Sequence, residues 1–463
     1  MSSTSIDNWI REIVPDEAHK LGRRLEWDGL NKDDFGSWLE SECSYSDSET
    51  YANKAALQEA CDVLKLRWDT PLLPYDNKQN RPFVDLWWPV RCHIFEKLKH
   101  EAAFISSKNL IADNALEQLA DTLLDRLCYI SEQVLWDVFS KDRTAGAILL
   151  AHLGPSGDGF GPPVREQYKK FIQLHRRNGL ALLLQEFPVL GRYLGILIRF
   201  HYRNSIEILK RIETDRDILS KCFAIPESHR LIGIKQNLSD PHKGGQSVAI
   251  LQFGINEASV FPLQLVYKPK DMRVDAAFQA LLDDLNCNSE LKPLRTIGVH
   301  SANGYGYMEF IPHRICADEK ELELFYSNAG RLTAILHVLG CTDCNHENLI
   351  ACSDQLLLID TETLMRVDIP NHIVQAVSEK TTLEGGSDLV NKFRSSVLRT
   401  NILYDYEFIG KARKRRDVSA LSILPSLSAN QLVDGWLAIN SDGMMPGRVE
   451  RDFNLPSSLP VSI

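Results

Sequence analysis

The sequence predicts an α+β fold in which a mostly helical N-terminal region precedes a core of two lobes. Helical spacing of apolar residues prevails at first, short β-branched and aromatic runs follow, and a further helical pattern leads into two short apolar runs. The predicted divisions are a helical region at 1–225, an N-lobe at 226–315 and a C-lobe at 316–463.

The helical region is predicted from the spacing of its apolar residues. Between Ala115 and Ile130 they recur every three or four positions, as on the buried face of one helix. These residues are Leu116, Leu119, Leu123, Leu127 and Ile130. A similar pattern runs from Tyr193 to about Leu219. Gly154–Pro163 is predicted to be an exposed loop, since glycine and proline break helices and no Lys-Ser or Lys-Thr of a phosphate-binding loop follows.

The core is predicted from strand-like runs that lie on either side of a helix. Ser247–Phe253 and Pro262–Lys268 are separated by a short glycine-containing segment, which favours an antiparallel pair, and Tyr305–Ile311 is a further strand. Helical spacing returns from Glu319 to Leu339. The apolar runs Leu349–Ala351 and Leu356–Ile359 then form a second strand pair. This order is typical of a kinase-like two-lobed fold.

Length and charge limit the functional classes. A chain of 463 residues predicts about two or three domains, and a net charge of −10 argues against a nucleic-acid-binding protein. The basic run Lys411–Arg416 is predicted to be a solvated face, with a local anion patch as the alternative. The N-terminus lacks an export signal, and no apolar run approaches the ~18 residues of a transmembrane segment, which predicts a cytoplasmic protein.

The ten cysteines are dispersed along the chain, which predicts reduced thiols. Cys341 and Cys344 alone form a CxxC pattern. It is interpreted as incidental, with half of a zinc site or a redox pair as alternatives, because no second CxxC supplies the remaining ligands of a zinc ion. No zinc is therefore expected in this chain.

The segment from Thr342 to Glu362 spaces acids and amides as a phosphoryl-transfer site does. Asp343, Asn348 and Asp360 follow the order of the kinase residues that orient the acceptor hydroxyl and bind Mg²⁺. Glu362 is a further candidate metal ligand. Lys268 ends a predicted strand, as the phosphate-binding lysine of kinases does.

A turn before the first core strand adds two candidate catalytic residues, Asp240 and His242. Gly244 and Gly245 follow them, and such a turn can bring backbone N–H groups close to phosphate. An ordinary hairpin turn is the alternative. His242 could act as an acid or a base, since the pKa of histidine lies near neutrality.

These residues resemble the dehydratase domain of class II lanthipeptide synthetases, the LanM-type enzymes. The segments that carry the resemblance are Asp240–His242, Leu265–Lys270, Gly304–Ile311, Thr342–Ala351, Leu358–Leu364 and Ser396–Thr400, with Gln185–Arg192, Leu209–Asp215 and Ile439–Asp442 more loosely similar. Such enzymes use ATP and Mg²⁺ to phosphorylate Ser and Thr in the core of a precursor peptide that carries a leader. They then eliminate phosphate to leave dehydroalanine or dehydrobutyrine.

The resemblance implies a role for each matching residue. Asp343 would activate the hydroxyl, and Lys268 would face the phosphates. Asn348 and Asp360 would bind metal and nucleotide with support from Glu362. Asp240 and His242 match the Asp-x-His motif, which contributes to the active site.

The chain departs from the family pattern at two places. Asn345 stands where the family usually has His, and Asn donates a hydrogen bond but carries no proton charge. The family also continues beyond the equivalent of residue 463, through a segment with an Arg and a Thr for elimination and then a zinc-dependent cyclase. Arg394 and Thr400 are not assigned that role. The predicted C-lobe is accordingly incomplete at its C-terminal end, and a separate chain is the expected partner that completes it.

Phosphorylation of a precursor peptide is therefore expected to be retained more readily than elimination. Two alternatives remain. One is a pseudokinase-like protein or subunit of a split synthetase that binds peptide without turnover, and the other is a kinase-like enzyme acting on a small molecule.

Overall fold

The computed structural model has an α+β fold, as the sequence predicts. It describes residues 71–76, 80–106, 110–144, 146, 164–242, 244–365, 396–403, 406–409, 414–417, 419–421, 431–451 and 457–460. The predicted loop Gly154–Pro163 and the first part of the basic run, 411–413, lie outside these ranges. No helix in the described part of the chain is long and apolar enough to cross a membrane.

The described helices are concentrated in the first half of the chain. They are α1 (Val84–Ile105), α2 (Asp113–Asp142), α3 (Glu166–Leu174), α4 (Leu180–Glu186), α5 (Pro188–Thr214), α6 (Arg216–Phe223), α7 (Arg273–Cys287) and α8 (Glu319–Val338). A π-helical turn, His175–Gly179, joins α3 to α4, and a 3₁₀ turn covers Val397–Thr400.

The strands form one larger sheet and three hairpins. They are β1 (Arg230–Lys235), β2 (Ala249–Gly254), β3 (Leu263–Lys268), β4 (Val299–Ser301), β5 (Gly306–Glu309), β6 (Leu349–Cys352), β7 (Gln355–Leu358), β8 (Tyr406–Ile409), β9 (Lys414–Asp417), β10 (Gln431–Leu437) and β11 (Met445–Arg451). The second half of the basic run lies in β9.

The larger sheet has five antiparallel strands in the order β1-β2-β3-β5-β4. The predicted pairing of β2 with β3 is confirmed, and Ala249 lies opposite Tyr267. Lys268, the last residue of β3, lies opposite Gly306 at the start of β5. The connection between β1 and β2 therefore emerges at the same end of the sheet as Lys268.

Three apolar cores hold the described elements, and the smallest joins the sheet to the β6–β7 hairpin through Met308 and Leu357. The first joins α1, α2 and α5 to the sheet, and includes the predicted α2 face from Leu116 to Leu127. Ile130, which was predicted to lie on the same buried face, is exposed. The second packs α8 against the β6–β7 hairpin through Phe325, Leu332 and Leu358. The N-terminal helices and the sheet thus bury their apolar faces against each other.

The helical pattern from Tyr193 to Leu219 forms two helices rather than one. α5 ends at Thr214, α6 begins at Arg216, and Asp215 between them is buried. The Asp215 carboxylate accepts hydrogen bonds from the hydroxyls of Tyr305 (2.8 Å) and Tyr307 (2.9 Å). The polar break in the helix therefore ties the helical region to β5 and the residue before it.

The β10–β11 hairpin packs on the N-terminal helices, an arrangement that the sequence pattern did not indicate. Asn440 Oδ1, in the hairpin turn, accepts the backbone N–H of Phe83 at 2.7 Å. Asp442 Oδ1 accepts that of Tyr168 at 2.8 Å, and the rings of Trp136 and Trp436 lie 5.4 Å apart.

A buried ion pair reinforces this junction. Asp85 on α1 is fully buried, and its Oδ2 lies 2.8 Å from Nη2 of Arg165. Asp85 Oδ1 also accepts the backbone N–H of Leu73 (2.7 Å). Arg165 donates further to the carbonyl oxygens of Leu73 (3.0 Å) and Asn440 (2.9 Å). The pair therefore joins three segments that are far apart in sequence.

His201 on α5 makes stability dependent on pH. The ring is buried, Nε2 donates to the carbonyl of Leu119 at 2.8 Å, and burial with the nearby charge of Arg126 lowers its pKa from 6.5 to about 4. As the pH falls from about 6.5 to about 4, the His201 ring becomes protonated in the unfolded state but stays neutral in the folded state. The free energy of unfolding should then fall by about 3 kcal/mol, at about 1.4 kcal/mol per pKa unit.

The substitution His201→Gln should flatten this dependence, since Gln keeps a donor for Leu119 but does not titrate. Denaturant unfolding at a series of pH values measures the slope. The matched control is the same substitution at the exposed His100 on α1. An equal slope in wild type and His201→Gln would rule out this source of pH dependence.

Candidate active site

Lys268 projects from the end of β3 into a buried position. It is 5% exposed, its Nζ donates a hydrogen bond to the carbonyl oxygen of Ile359, and Asp275 Oδ1 lies 3.8 Å away. Burial lowers the pKa of the ammonium, although the charges of Asp360 and Asp275 oppose that shift. The predicted phosphate-facing lysine is thus held between β3, α7 and the chain that follows β7.

Asp275 was not predicted from the sequence. It lies in the first turn of α7 and is 1% exposed. Its pKa is raised because burial disfavours the charged carboxylate more than Lys268 and Lys270 favour it. An acid in the first turn of the helix after a strand lysine is the signal that could have identified this residue.

Lys270 brings the predicted ligands Asp360 and Glu362 together. Its Nζ lies 2.7 Å from Asp360 Oδ1 and 2.9 Å from Glu362 Oε1. Burial opposes ionisation of Asp360, but Lys268 and Lys270 outweigh it, so the pKa of Asp360 is lowered. Asp360 is therefore a carboxylate at neutral pH. The sequence analysis gave Lys270 no role.

The β6–β7 hairpin places Asn348 and Asp360 at the same end. Leu349 pairs with Leu358, and the N–H of Ile359 donates to the carbonyl oxygen of Asn348 at 2.9 Å. Asn348 directly precedes β6, and Asp360 follows closely after β7. Because the two strands are antiparallel, the residue before β6 and the residues after β7 lie close together at the open end of the hairpin, although they are separated in sequence.

Asp343 and Asn348 are in direct contact. Asn348 Nδ2 donates to the carbonyl oxygen of Asp343 (2.8 Å) and to its Oδ2 (3.1 Å). Asn345 Nδ2 donates to Asp343 Oδ1 at 3.1 Å, so the residue at the family's histidine position supplies a hydrogen bond. The Asp343 carboxylate is exposed and is oriented by two amides.

Hydrogen bonds with neighbouring segments hold the Asp343 loop in place. The N–H of Cys344 donates to the carbonyl oxygen of Thr400 at 3.0 Å, and Arg399 Nη2 donates to that of His337 at 2.7 Å. Asn345 forms a backbone bridge with Ser419. The segment Ser396–Thr400 thus helps to fix the position of the Asp343 loop. Arg394 lies outside the described residues.

The thiols of Cys341 and Cys344 are buried in the second core and contact each other. Their sulfur atoms lie 2.8 Å apart, and Cys341 Sγ lies 3.2 Å from the Thr363 hydroxyl. The hydrogen bond from Cys344 lowers the pKa of Cys341 to about 6, while the same contact raises that of Cys344. In the described ranges, no group of three or more His, Cys, Asp and Glu residues is placed to hold a metal ion.

Asp240 and His242 lie exposed in the β1–β2 connection. His242 and Gln246 exchange two backbone hydrogen bonds of 2.7 and 2.8 Å across a turn formed by Gly244 and Gly245, whose φ angles are +80° and +83°. Asn204 on α5 donates to the carbonyl oxygen of Gly244 at 2.9 Å. The structure therefore anchors this turn on α5, at the end of the sheet where Lys268 lies.

The donor chemistry of the cluster fits Mg²⁺. This ion prefers oxygen ligands and is usually bound by one or two carboxylates together with phosphate oxygens. Asp360 and Glu362 supply carboxylates, and Asn348 offers an amide oxygen because its nitrogen donates to Asp343. These three residues would hold the metal ion.

Comparison with known proteins gives two matches. A family model described as a domain of unknown function (DUF4135) matches residues 187–462. The chain is also 23% identical, over 253 residues, to the lacticin 481/lactococcin biosynthesis protein LcnDR2 of Lactococcus lactis subsp. lactis; the match covers 52% of this chain and 26% of the relative. The matched part thus spans about a quarter of that relative's length.

These matches confirm the resemblance to LanM-type synthetases that the sequence analysis identified. The candidate residues from Asp240 to Glu362 all lie within the range of the family model. Since this range covers more than half of the chain, the protein belongs to the DUF4135 family.

Proposed function

We propose that this protein acts in lanthipeptide biosynthesis as an ATP- and Mg²⁺-dependent enzyme that phosphorylates Ser and Thr residues of a precursor peptide. The relative's name concerns the biosynthesis of lacticin 481, which supports the pathway. The observation that carries the chemistry is the arrangement at the open end of the β6–β7 hairpin. There Asn348 contacts Asp343, and Asp360 lies beside Lys268 and Lys270.

A kinase-like two-lobed core is part of the proposal. A strand lysine paired with an acid on the next helix is a hallmark of the kinase N-lobe, and the contact of Lys268 with Asp275 supports it. The order of sheet, helix α8, Asp343 loop and hairpin is also that of a kinase. Lys268 would then face the ATP phosphates, and Asp343 would orient the acceptor hydroxyl.

The bound metal would supply charge neutralisation at the phosphates. Residues of this chain would perform the other catalytic roles. Asp343 is held by Asn345 and Asn348 in a position to accept the hydroxyl proton. In the elimination step, cationic donors would stabilise the leaving phosphate, and Asp240 and His242 are candidates to assist there.

Peptide binding without turnover is the second candidate function. It is favoured by Asn345, which cannot act as an acid or base at the position where the family has His. In that case a labelled leader peptide would bind while no phosphate is transferred.

Mass spectrometry distinguishes these functions. The protein is incubated with ATP, Mg²⁺ and a Ser/Thr-containing precursor peptide encoded by a neighbouring gene. A gain of phosphate supports the kinase step, and a loss of water shows that elimination also occurs. An unchanged peptide mass, with peptide binding intact in a fluorescence titration, would favour the non-catalytic function.

A further inference from the structure

Lys270 lies between two carboxylates that are candidate metal ligands. Its ammonium contacts Asp360 Oδ1 and Glu362 Oε1 at 2.7 and 2.9 Å. The Lys270 side chain is 20% exposed, compared with 35% for Asp360 and 65% for Glu362, so the ammonium is the most enclosed of the three groups. A positive charge here holds both side chains and offsets their mutual repulsion.

A metal ion held between Asp360 and Glu362 would compete with this ammonium, which contacts one oxygen of each carboxylate. Mg²⁺ binds carboxylate oxygens at about 2.0–2.1 Å, which leaves no room for an ammonium between the same two groups. Asp360 Oδ1 additionally accepts the N–H of Glu362 at 3.1 Å, so the backbone fixes the position of that oxygen. Metal binding at Asp360 and Glu362 would therefore displace the Lys270 ammonium.

The two lysines on either side of Pro269 are suited to different tasks. Lys268 is 5% exposed and is held by the carbonyl oxygen of Ile359 and by Asp275. Among the described residues, the Lys270 ammonium is bound by side-chain carboxylates, and it sits on a flexible four-carbon stem. It can turn away from the carboxylates without breaking a backbone contact.

We propose that Lys270 is an exchangeable cation of the nucleotide site. It binds Asp360 and Glu362 until a divalent metal takes their oxygens, and it then contacts the phosphates of the nucleotide that arrives with the metal. This inference rests on the proposed function. It implies that metal alone binds weakly and that metal and nucleotide strengthen each other's binding.

The test measures Mn²⁺ binding by electron paramagnetic resonance, with and without a non-hydrolysable ATP analogue. In Lys270→Met, Mn²⁺ alone should bind roughly tenfold or more tightly than in wild type, since a competing charge is removed. The analogue should then enhance Mn²⁺ binding less than it does in wild type. Lys270→Arg keeps the charge and should retain weak binding of Mn²⁺ alone.

The matched control is Lys292→Met, which removes the exposed ion pair with Asp354 at the opposite end of the β6–β7 hairpin. Equal Mn²⁺ affinity in wild type, Lys270→Met and this control would overturn the exchange. Asp360→Asn separates that result from a failure of the proposed function. If it weakens Mn²⁺ binding, the metal site stands and only the exchange is refuted; if it has no effect in either background, both proposals fail.

Discussion

The substitution Asp343→Asn is expected to lower phosphate transfer to the precursor peptide by about 10²–10⁴-fold, the usual contribution of a general base. Asn is nearly isosteric but has no carboxylate to accept the hydroxyl proton, and its single amide oxygen can keep only one of the hydrogen bonds that Asp343 accepts from Asn345 and Asn348. Transfer is measured by mass spectrometry of the peptide under single-turnover conditions. Binding of a fluorescent ATP analogue should change by less than about threefold, because Asp343 lies beside the metal ligands rather than among them.

The same loop provides a matched control. Glu347 is exposed, and its carboxylate can be neutralised by Glu347→Gln with the same loss of one charge. If activity depended only on the net charge of the loop, both variants would lose activity to the same extent. If Asp343 is the base, Glu347→Gln stays near the wild-type rate. A fully active Asp343→Asn protein would remove Asp343 from the mechanism.

The substitution Asp85→Ala should have the largest effect on stability, about 3–5 kcal/mol of the free energy of unfolding. The carboxylate is fully buried, and its removal leaves the Arg165 guanidinium, whose side chain is 9% exposed, without a counter-charge. The N–H of Leu73 also loses its acceptor. Urea unfolding followed by tryptophan fluorescence measures the change, since Trp87 lies buried on the same helix.

A control variant and a double variant test whether the unpaired charge of Arg165 causes the loss of stability. Asp113→Ala breaks the half-exposed ion pair with Lys99 and should cost much less stability than Asp85→Ala. Asp85→Ala combined with Arg165→Leu should recover part of the stability lost in Asp85→Ala, because no unpaired charge remains buried. A double variant as unstable as the sum of its single variants would show that the two side chains act independently.

The elements that could be predicted from the sequence are those with a local signal. The faces of α2 and α8 follow from a periodicity of 3.6, and the β2–β3 pair and the β6–β7 hairpin follow from short apolar runs within single segments. Asp343 and Asn348 were assigned to one site by their order and spacing, and the structure adds that the two side chains are in direct contact. The break at Asp215 was not, because the partners of its carboxylate, Tyr305 and Tyr307, are remote in sequence.

The candidate site shows the same difference: residues at strand ends could be identified from the sequence, whereas contacts between distant segments could not. Lys268, Asp360 and Glu362 were identified by their places at strand ends, and their roles stay a prediction. Asp275 was identified from its ion pair with Lys268 in the folded structure. Lys270 acquired a role only through its contacts with Asp360 and Glu362. Ion pairs between distant segments depend on the fold and leave no periodic trace in the sequence.

The docking of the β10–β11 hairpin has a consequence for synthesis of the chain. The hydrogen bond between Phe83 and Asn440 spans 357 positions, so the N-terminal helices cannot complete their polar contacts until the chain has been synthesised beyond Asn440. Asp85 and Arg165 would meanwhile be partly paired in an unfinished structure. Docking of the β10–β11 hairpin on the N-terminal helices is therefore expected to be a late step of folding.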